Sequence, residues 1–298
     1  MKTTYDFDET MFDNKDKFQN DFFSRFKLHH APLPLKLSDT ISKNYLFPTF
    51  YSDVTCAIGI FLCSYDKTYN LVSQTFGPKV KPVMMTKQRS LVAFSCYEYK
   101  NVMNVAPYNE IAMTIPVMID PSVNVPLLPM IMDKMFSKFG YYVFSMPVTS
   151  KENQIRGNKI WGLPKVTQEI DIKEKNGDCI VVAKEETGEP YFKLTVPTDG
   201  KPTDFDVTSN LYSRLNDTFL QSETNFKATF NVKKHMGLLV NKNETPDRNY
   251  LILGDTPSAK VLKYLEIEAH PFQTRFAKHM NSCFDIPNPN YISPVILP

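Results

Sequence analysis

The chain alternates between short apolar runs and polar turn residues over most of its length. The runs are rich in β-branched and aromatic residues, which predict strands because such side chains pack well on a pleated surface. Proline, asparagine and glycine lie between them and favour turns. The predicted strands cover residues 55–64, 90–99, 110–119, 141–149, 166–172, 179–184, 191–196, 226–231 and 250–253. Together they predict an α+β fold that is mostly antiparallel β-sheet.

Three of these strands predict a meander between residues 166 and 196. Its first turn contains Asn176-Gly177, a dipeptide typical of a tight hairpin. Apolar residues at helical spacing predict helices at 127–139 and 205–215. Residues 259–267 fit either a helix or a strand.

The first 45 residues differ in pattern from the rest and are predicted to form an N-terminal arm. Phenylalanines recur there among acidic residues, lysines and asparagines, and part of their spacing suits an amphipathic helix at 9–26. We expect this arm to pack on its own body or on a neighbouring subunit. His29-His30 and Pro32-Leu33-Pro34 predict a linker, with the histidine pair in solvent rather than on a metal. Residues 46–298 form the predicted body.

Composition narrows the class of function. The chain has 298 residues, 34 basic and 32 acidic, and its net charge of +2 predicts no binding to nucleic acid or to an anionic membrane. Glycine occurs only 10 times and forms no phosphate-binding loop, so no nucleotide cofactor is expected. The five cysteines are scattered and lack C-x-x-C spacing, which predicts reduced thiols, no metal and a cytoplasmic protein. No apolar run approaches the ~20 residues of a membrane span, and no targeting segment is recognisable.

The candidate chemistry lies in the stretch G-N-K-I-W-G-L-P-K, which runs from Gly157 to Lys165. Trp161, Leu163 and Pro164 precede the lysine, whose ammonium group would normally reach into water. Burial among apolar neighbours would lower the pKa of Lys165, and the resulting free amine could attack a ketone and form a Schiff base. On spacing alone, a surface lysine beside a core strand is the favoured alternative.

Two segments resemble the acetoacetate decarboxylase family. W-G-L-P-K resembles the active-site lysine segment of that family, and Tyr108-Asn109-Glu110 with Ile115-Pro116-Val117 resembles its Y-x-E-x-x-x-x-I-P-V stretch. The resemblance implies a closed, cone-like β-barrel of the acetoacetate decarboxylase type with a few peripheral helices. It also implies a Schiff-base lysine at Lys165, a small-molecule keto acid substrate and a homo-oligomer.

The resemblance gives Glu110 the role of managing protons or orienting the substrate, with a solvated strand-end carboxylate as the alternative. The predicted pocket lining comprises Trp161, Leu163, Pro164, Tyr108, Phe94, Ser95, Met113 and Arg156. The apolar members of this set suit ordinary core positions equally well. No cofactor and no metal ligand are expected in the site.

Several positions depart from the family pattern. Val166 stands where the classical decarboxylase has a second lysine, Ser95 where it has a second glutamate, and Lys159 where it has an acidic turn residue. The substrate-facing arginine of that enzyme aligns near Cys56. Because the groups that handle acetoacetate are replaced, acetoacetate itself is not the expected substrate.

The missing second lysine also affects the expected activation of the nucleophile. A neighbouring cation would help lower the pKa of Lys165, and Val166 offers none. Burial under Trp161 and Leu163 is therefore the expected main cause of a lowered pKa. On this hypothesis, Val166→Lys would lower the pKa of Lys165 further.

Three functions stay open from the sequence. The first is a Schiff-base lyase that decarboxylates a β-keto acid unlike acetoacetate. The second uses the same iminium chemistry for aldol condensation or dehydration of a larger keto acid. The third is a barrel that binds a small apolar ligand or serves assembly, with Lys165 catalytically silent.

Overall fold

The computed structural model describes residues 14–86, 88–121, 126, 129, 136–240 and 245–298. The predicted helix at 127–139 lies largely outside these residues, as does the first part of the helix predicted at 9–26. The strands are β1 His29–His30, β2 Leu35–Lys36, β3 Ser42–Lys43, β4 Leu46–Phe47, β5 Thr49–Ser64, β6 Val80–Pro82, β7 Arg89–Val102, β8 Tyr108–Ile119, β9 Phe139–Val148, β10 Lys165–Thr167, β11 Glu169–Lys175, β12 Asp178–Lys184, β13 Pro190–Pro197, β14 Lys201–Leu215, β15 Thr218–Lys234, β16 Leu251–Leu253 and β17 Pro271–Phe284. The α-helices are α1 Asp21–Ser24, α2 Tyr65–Phe76, α3 Lys151–Trp161 and α4 Ala259–Tyr264, and 3₁₀ turns occur at Lys15–Phe18 and Met236–Leu239.

Seven strands close into a barrel. Their ring order is β9, β14, β15, β17, β5, β7 and β8, and β8 pairs back to β9. Neighbours in the ring are antiparallel except β9 and β14, which run parallel. Outside the ring, β10 lies parallel to β9 and β6 lies antiparallel to β8. The predicted closed barrel with peripheral helices is confirmed.

The pleat of each strand gives the barrel an inner and an outer face. On β7, Ser95 and Tyr97 face the lumen, whereas Phe94 and Cys96 lie in an apolar layer outside it. A second antiparallel sheet, in the order β11–β12–β13–β16, packs on that outer layer. This sheet contains the predicted meander, and its first turn has Asn176 and the following glycine at φ 54° and 82°.

The strand predicted at 166–172 is two strands. β10 ends at Thr167 and β11 begins at Glu169, so the chain passes from the barrel wall to the outer sheet at Gln168. The backbone N–H of Gln168 donates to the carbonyl of Val148 at 2.9 Å, which holds this crossing point on β9. The apolar run at 166–172 therefore contributes one strand to each of two sheets.

The helix predicted at 205–215 is wrong, because these residues form the last eleven of the fifteen residues of β14. Thr203, Phe205 and Val207 alternate with exposed aspartates, which is the period of a strand with one solvated face. Pairing with β15 and β9 then stabilises the extended form. The residues that fitted helix or strand at 259–267 form α4 and the turn after it.

The described part of the N-terminal segment packs on the barrel through aromatic side chains. Phe18, Phe22 and Phe23 are buried against Phe50 and Met103. The rings of Phe23 and Phe50 are 4.8 Å apart, and those of Phe18 and Phe23 are 5.4 Å apart in an edge-to-face arrangement. Apolar burial therefore fixes this segment to β5. The boundary at residue 45 stays a prediction.

The histidine pair predicted in a linker instead forms β1, which pairs antiparallel with β4. Both histidines are exposed, and His29 Nε2 lies 3.1 Å from Asp285 Oδ1. Among the described helices, none combines the length and apolar character needed to cross a bilayer.

Candidate active site

Lys165 is the first residue of β10 and follows helix α3 after a short connection. An 11-residue helix that was not predicted from the sequence precedes the lysine. The helix begins where Ser150 Oγ accepts a hydrogen bond from the N–H of Asn153 at 3.1 Å. It ends at Gly162, in the left-handed conformation with φ 61°. The backbone N–H of Lys165 then donates to Asn158 Oδ1 at 3.1 Å, which ties the strand to the helix.

Two glycines in this segment are required by close contacts. A Cβ at Gly157 would lie 2.7 Å from Cε of Lys165 and closer still to its Cδ, so the lysine stem occupies the space that a side chain would fill. A Cβ at Gly162 would lie 2.7 Å from the carbonyl carbon of Arg214 on β14. Gly162 also has a positive φ, which L side chains rarely adopt.

The structure brings together the two predicted catalytic residues. Lys165 Nζ donates a hydrogen bond to Glu110 Oε2 at 2.6 Å, and the two side chains are only 5% and 4% exposed. Glu110 belongs to β8, 55 residues before the lysine. A buried ion pair of this geometry can also exist as a neutral amine and carboxylic acid after one proton moves along the hydrogen bond.

Two further donors position the carboxyl group of Glu110. Asn153 Nδ2 on α3 donates to Oε2 at 3.3 Å, and the hydroxyl of Tyr99 on β7 donates to Oε1 at 3.3 Å. Both donors are buried. The carboxyl therefore has partners on both oxygens, in addition to Lys165, and its orientation is fixed from three elements of the fold.

Burial lowers the pKa of Lys165 from its ordinary value. The Glu110 carboxylate opposes this by attracting the ammonium and accepting its hydrogen bond, and the Arg156 guanidinium adds to it by repulsion. Burial is the largest cause, as the sequence predicted. Val166 supplies no cation, as expected, but Arg156 adds a positive charge from α3 that the sequence did not indicate.

Arg156 is fully buried, with 0% exposure. Its Nη2 donates to Thr49 Oγ1 at 2.8 Å, whereas Nε and Nη1 have no hydrogen-bond acceptor among the described residues. The guanidinium carbon lies 4.4 Å from the ring centroid of Tyr45 and 5.8 Å from that of Trp161. Aromatic faces, rather than a carboxylate, hold this cation behind the lysine.

A cluster of tyrosines forms the wall beside the Lys165–Glu110 pair. The rings of Tyr51 and Tyr99 are 4.6 Å apart, and those of Tyr99 and Tyr108 are 4.9 Å apart. Burial raises the pKa of Tyr51 to about 12 and raises the pKa values of Tyr97, Tyr99 and Tyr108 well above their usual range. These phenols are therefore neutral hydrogen-bond donors.

The pair lies on a cavity of about 310 Å³ inside the barrel, a volume typical of small-molecule sites. Apolar side chains from at least five strands form much of its wall. Examples are Ile58, Ile60, Leu91, Phe205, Phe226 and Met280. Such a lining excludes water and favours the uncharged form of an amine.

Of the eight predicted lining residues, Leu163 and Ser95 line the cavity. Trp161 and Arg156 lie behind it instead, where the indole stacks on Phe284 with ring centroids 4.9 Å apart.

Two other predicted lining residues lie close to the reactive lysine. The ring centroid of Tyr108 is 6.0 Å from Lys165 Nζ, and the carbonyl of Pro164 accepts a hydrogen bond from the N–H of Met146 at 3.2 Å. They support the lysine rather than face the lumen.

Phe94 and Met113 were predicted in the lining but lie in the apolar layer outside the barrel. Phe94 packs on Phe192 of the outer sheet at 5.1 Å between ring centroids. Their neighbours in sequence, Ser95 and Ala112, face the lumen. Successive residues of a strand point to opposite faces, so Phe94 and Met113 were predicted on the lumen face but lie on the outer one.

Several residues of the site were not predicted from the sequence. Tyr97 and Tyr99 follow Ser95 at every second position of β7, so the inward face assigned to Ser95 would have identified them. Asn153 and Tyr51 had no comparable signal, because helix α3 and the first part of β5 were not predicted. Among the described residues, no cluster of three or more histidine, cysteine or acidic side chains could hold a metal ion.

A model of the acetoacetate decarboxylase family matches residues 33–232, about two thirds of the chain. No curated protein sequence matches the chain. The solved acetoacetate decarboxylase from Legionella pneumophila is 13% identical, with a TM-score of 0.53 over 81% of this chain and 86% of that one. The enduracididine biosynthesis enzyme MppR, solved with pyruvate, is 9% identical, with a TM-score of 0.53 over 80% of this chain and 90% of that one.

A further acetoacetate decarboxylase structure is 14% identical, with a TM-score of 0.52 over 80% of this chain and 87% of that one. At such low identity these likenesses show a shared fold, and the family match rests on the sequence itself. This chain belongs to the acetoacetate decarboxylase family.

Proposed function

We propose that the protein is a Schiff-base-forming lyase that decarboxylates a β-keto acid other than acetoacetate. The main support is the buried hydrogen bond of 2.6 Å between Lys165 Nζ and Glu110 Oε2 at the wall of an apolar cavity. Such a pair can present a free amine to a ketone and hold the displaced proton on the neighbouring carboxyl group.

The reaction would begin with attack of the Lys165 amine on the carbonyl carbon of the substrate. Loss of water gives an iminium ion on Nζ. The bond between the α-carbon and the carboxylate then breaks, its electron pair moves toward the iminium nitrogen to give an enamine, and carbon dioxide leaves. Protonation of the enamine carbon and hydrolysis of the iminium release the ketone and restore the amine.

Glu110 would manage the protons of these steps. It accepts the proton that leaves the Lys165 ammonium, and it can return a proton to the departing hydroxyl or to the enamine carbon. Tyr99 and Asn153 keep its oxygens in place. The apolar lumen favours loss of the charged carboxylate as a neutral molecule.

A second candidate is aldol condensation or dehydration through the same iminium. Ser95 and Cys56 line the cavity at positions where the family resemblance expects a glutamate and an arginine. Their replacement removes groups suited to a small acetoacetate molecule and leaves room for a larger keto acid. MppR, which shares the fold, was solved with pyruvate.

Borohydride trapping tests the proposal. The protein is incubated with sodium borohydride and a panel of keto acids, and the reduced adduct is located by mass spectrometry. We expect an adduct on Lys165, and release of carbon dioxide then separates decarboxylation from aldol chemistry. Absence of an adduct with every keto acid would contradict both candidates and favour a barrel that only binds a ligand.

We further propose a cytoplasmic homo-oligomer. The five cysteines are free and buried, which suits a reducing compartment. Oligomerisation follows only from the family resemblance.

A further inference from the structure

Arg156 lies behind the cavity, but another arginine, Arg275 on β17, lines it. Its Nε donates to Gln273 Oε1 at 2.5 Å, and its guanidinium carbon lies 4.7 Å from the ring centroid of Phe205. Among the described residues, no carboxylate lies within ion-pairing distance of it. The terminal nitrogens of the guanidinium therefore have no anionic partner from the protein.

Arg275 is half-buried, and a cation partly removed from water without a counterion is unfavourable, because neutral contacts do not fully replace its hydration. Burial lowers the pKa of Arg275, although an arginine remains charged in proteins. An anionic ligand in the cavity would offset this cost and could accept two parallel hydrogen bonds from the guanidinium.

Arg275 lies far from the reactive end of the lumen. On the paired strands β5 and β17, Arg275 is opposite Ile58, whereas Phe284 is opposite Thr49, nine residues away. Phe284 stacks on Trp161, at the end of the helix that leads to the reactive lysine. Nine steps correspond to about 30 Å of strand, and the tilt of barrel strands leaves roughly 21 to 25 Å of this along the barrel axis.

The wall between the two ends is largely apolar. Ile58, Leu163, Phe226, Phe230 and Met280 all line the cavity. A ligand that reaches from Lys165 to Arg275 must therefore carry an apolar segment between its two polar ends. An apolar segment also gains free energy from burial there.

We infer that Arg275 binds a distal carboxylate of the substrate, which is a keto acid with an apolar chain between the reacting carbonyl and that carboxylate. This inference rests on the proposed function for the position of the carbonyl. The carboxylate on the α-carbon, one carbon away from the carbonyl, leaves as carbon dioxide at the Lys165 end, and the distal carboxylate stays on Arg275. Arg275 therefore acts in binding and takes no part in bond breaking.

Binding of decanoate, which has no ketone, tests Arg275 separately from the Schiff-base chemistry. Calorimetry compares decanoate with 1-decanol in the wild-type protein, in Arg275→Met and in Lys278→Met. Lys278 is on the same strand, but its side chain is exposed and paired with Glu174. We expect Arg275→Met to weaken decanoate binding roughly 10- to 100-fold, because a charge-assisted hydrogen bond is lost. We expect 1-decanol to bind both proteins equally and Lys278→Met to behave as wild type.

Equal decanoate affinity in wild type and Arg275→Met would overturn the inference, as would wild-type binding of 1-decanol as tight as that of decanoate. The second comparison needs no variant and can still overturn the inference if Arg275→Met does not fold. Failure of borohydride trapping with every keto acid, alongside Arg275-dependent decanoate binding, would overturn the lyase proposal and leave the anion site standing.

Discussion

The side chain of Lys165 lies against the Cα of Gly157, where a Cβ would come within 2.7 Å of Cε. The helix residue thus shapes the path of the lysine stem toward Glu110. A glycine inside a helix normally costs about 1 kcal/mol relative to alanine. At this position the missing side chain is what allows the nucleophile to enter the barrel wall.

Gly157→Ala is expected to lower turnover by roughly 100-fold, since the added methyl group displaces Nζ from its position beside Glu110 and misplaced groups lose rate steeply. Thermal stability should fall modestly, because crowding of the buried lysine stem costs about 1 to 3 kcal/mol, more than the about 1 kcal/mol that alanine gains over glycine in a helix. Lys159→Ala, at an exposed position of the same helix, serves as the control. Wild-type turnover in a folded Gly157→Ala protein would contradict the role given to this contact.

Lys165→Arg should abolish borohydride trapping, because a guanidinium is not deprotonated in proteins and cannot form the iminium. The matched control is Lys159→Arg. Lys159 is exposed and its Nζ donates to the carbonyl of Lys36 at 2.9 Å, so we expect normal trapping in that variant. Mass spectrometry of the reduced protein checks both. An adduct on any other lysine of the Lys165→Arg protein would refute the assignment.

Glu110→Gln should lower turnover by roughly 10²- to 10⁴-fold, the range typical of general acid–base groups. Removal of the negative charge also removes an effect that raises the pKa of Lys165, so this pKa should fall further. Trapping should therefore survive at neutral pH while turnover is lost. The pH dependence of acetic anhydride labelling at Lys165 measures the shift, with Glu98→Gln as control. A raised pKa would contradict the prediction.

Lys165 and Glu110 could be predicted from the sequence, because each lies in a short segment that resembles the family. Which residues of each strand face the lumen could not be predicted throughout. Ser95 and Phe94 were both expected in the lining, although adjacent residues of a strand face opposite sides. Because every second residue of a strand lies on the same face, Ser95 on β7 and Glu110 on β8 identify which residues of these strands face the lumen. One correct residue on each strand therefore determines the lining better than hydrophobicity does.

Strand β17, which contains Arg275, could not be predicted from the sequence. Its inner face borders a cavity rather than a packed core, so polar and apolar residues mix on both faces. The pairing register with β5 also shifts between Ala277 and Met280, which breaks the period of two. Only long-range pairing brings this strand into the barrel, and local pattern does not report it.

Val166→Lys should leave the pKa of Lys165 unchanged, which corrects the expectation from the sequence. Val166 is 45% exposed, and consecutive strand residues point to opposite faces. A lysine there would place its ammonium in water on the far side of the strand, where salt and solvent screen its charge. Labelling of Lys165 as a function of pH checks this. A clear downward shift would show that position 166 acts on the site.

Arg156→Met should raise the pKa of Lys165. The guanidinium of Arg156 disfavours a second positive charge nearby, so its loss favours the ammonium form and reduces the free amine at neutral pH. Turnover should fall at neutral pH and recover as the pH rises, and the midpoint of Lys165 labelling should move in the same direction.

Arg156→Lys keeps the charge and is the matched control, for which we expect a midpoint near that of wild type. The fold should tolerate methionine, since only one of the three guanidinium nitrogens has a hydrogen-bond partner among the described residues, Thr49. Thermal unfolding verifies that point. A midpoint that stays in place or moves to lower pH in folded Arg156→Met would leave burial alone as the cause of the lowered Lys165 pKa.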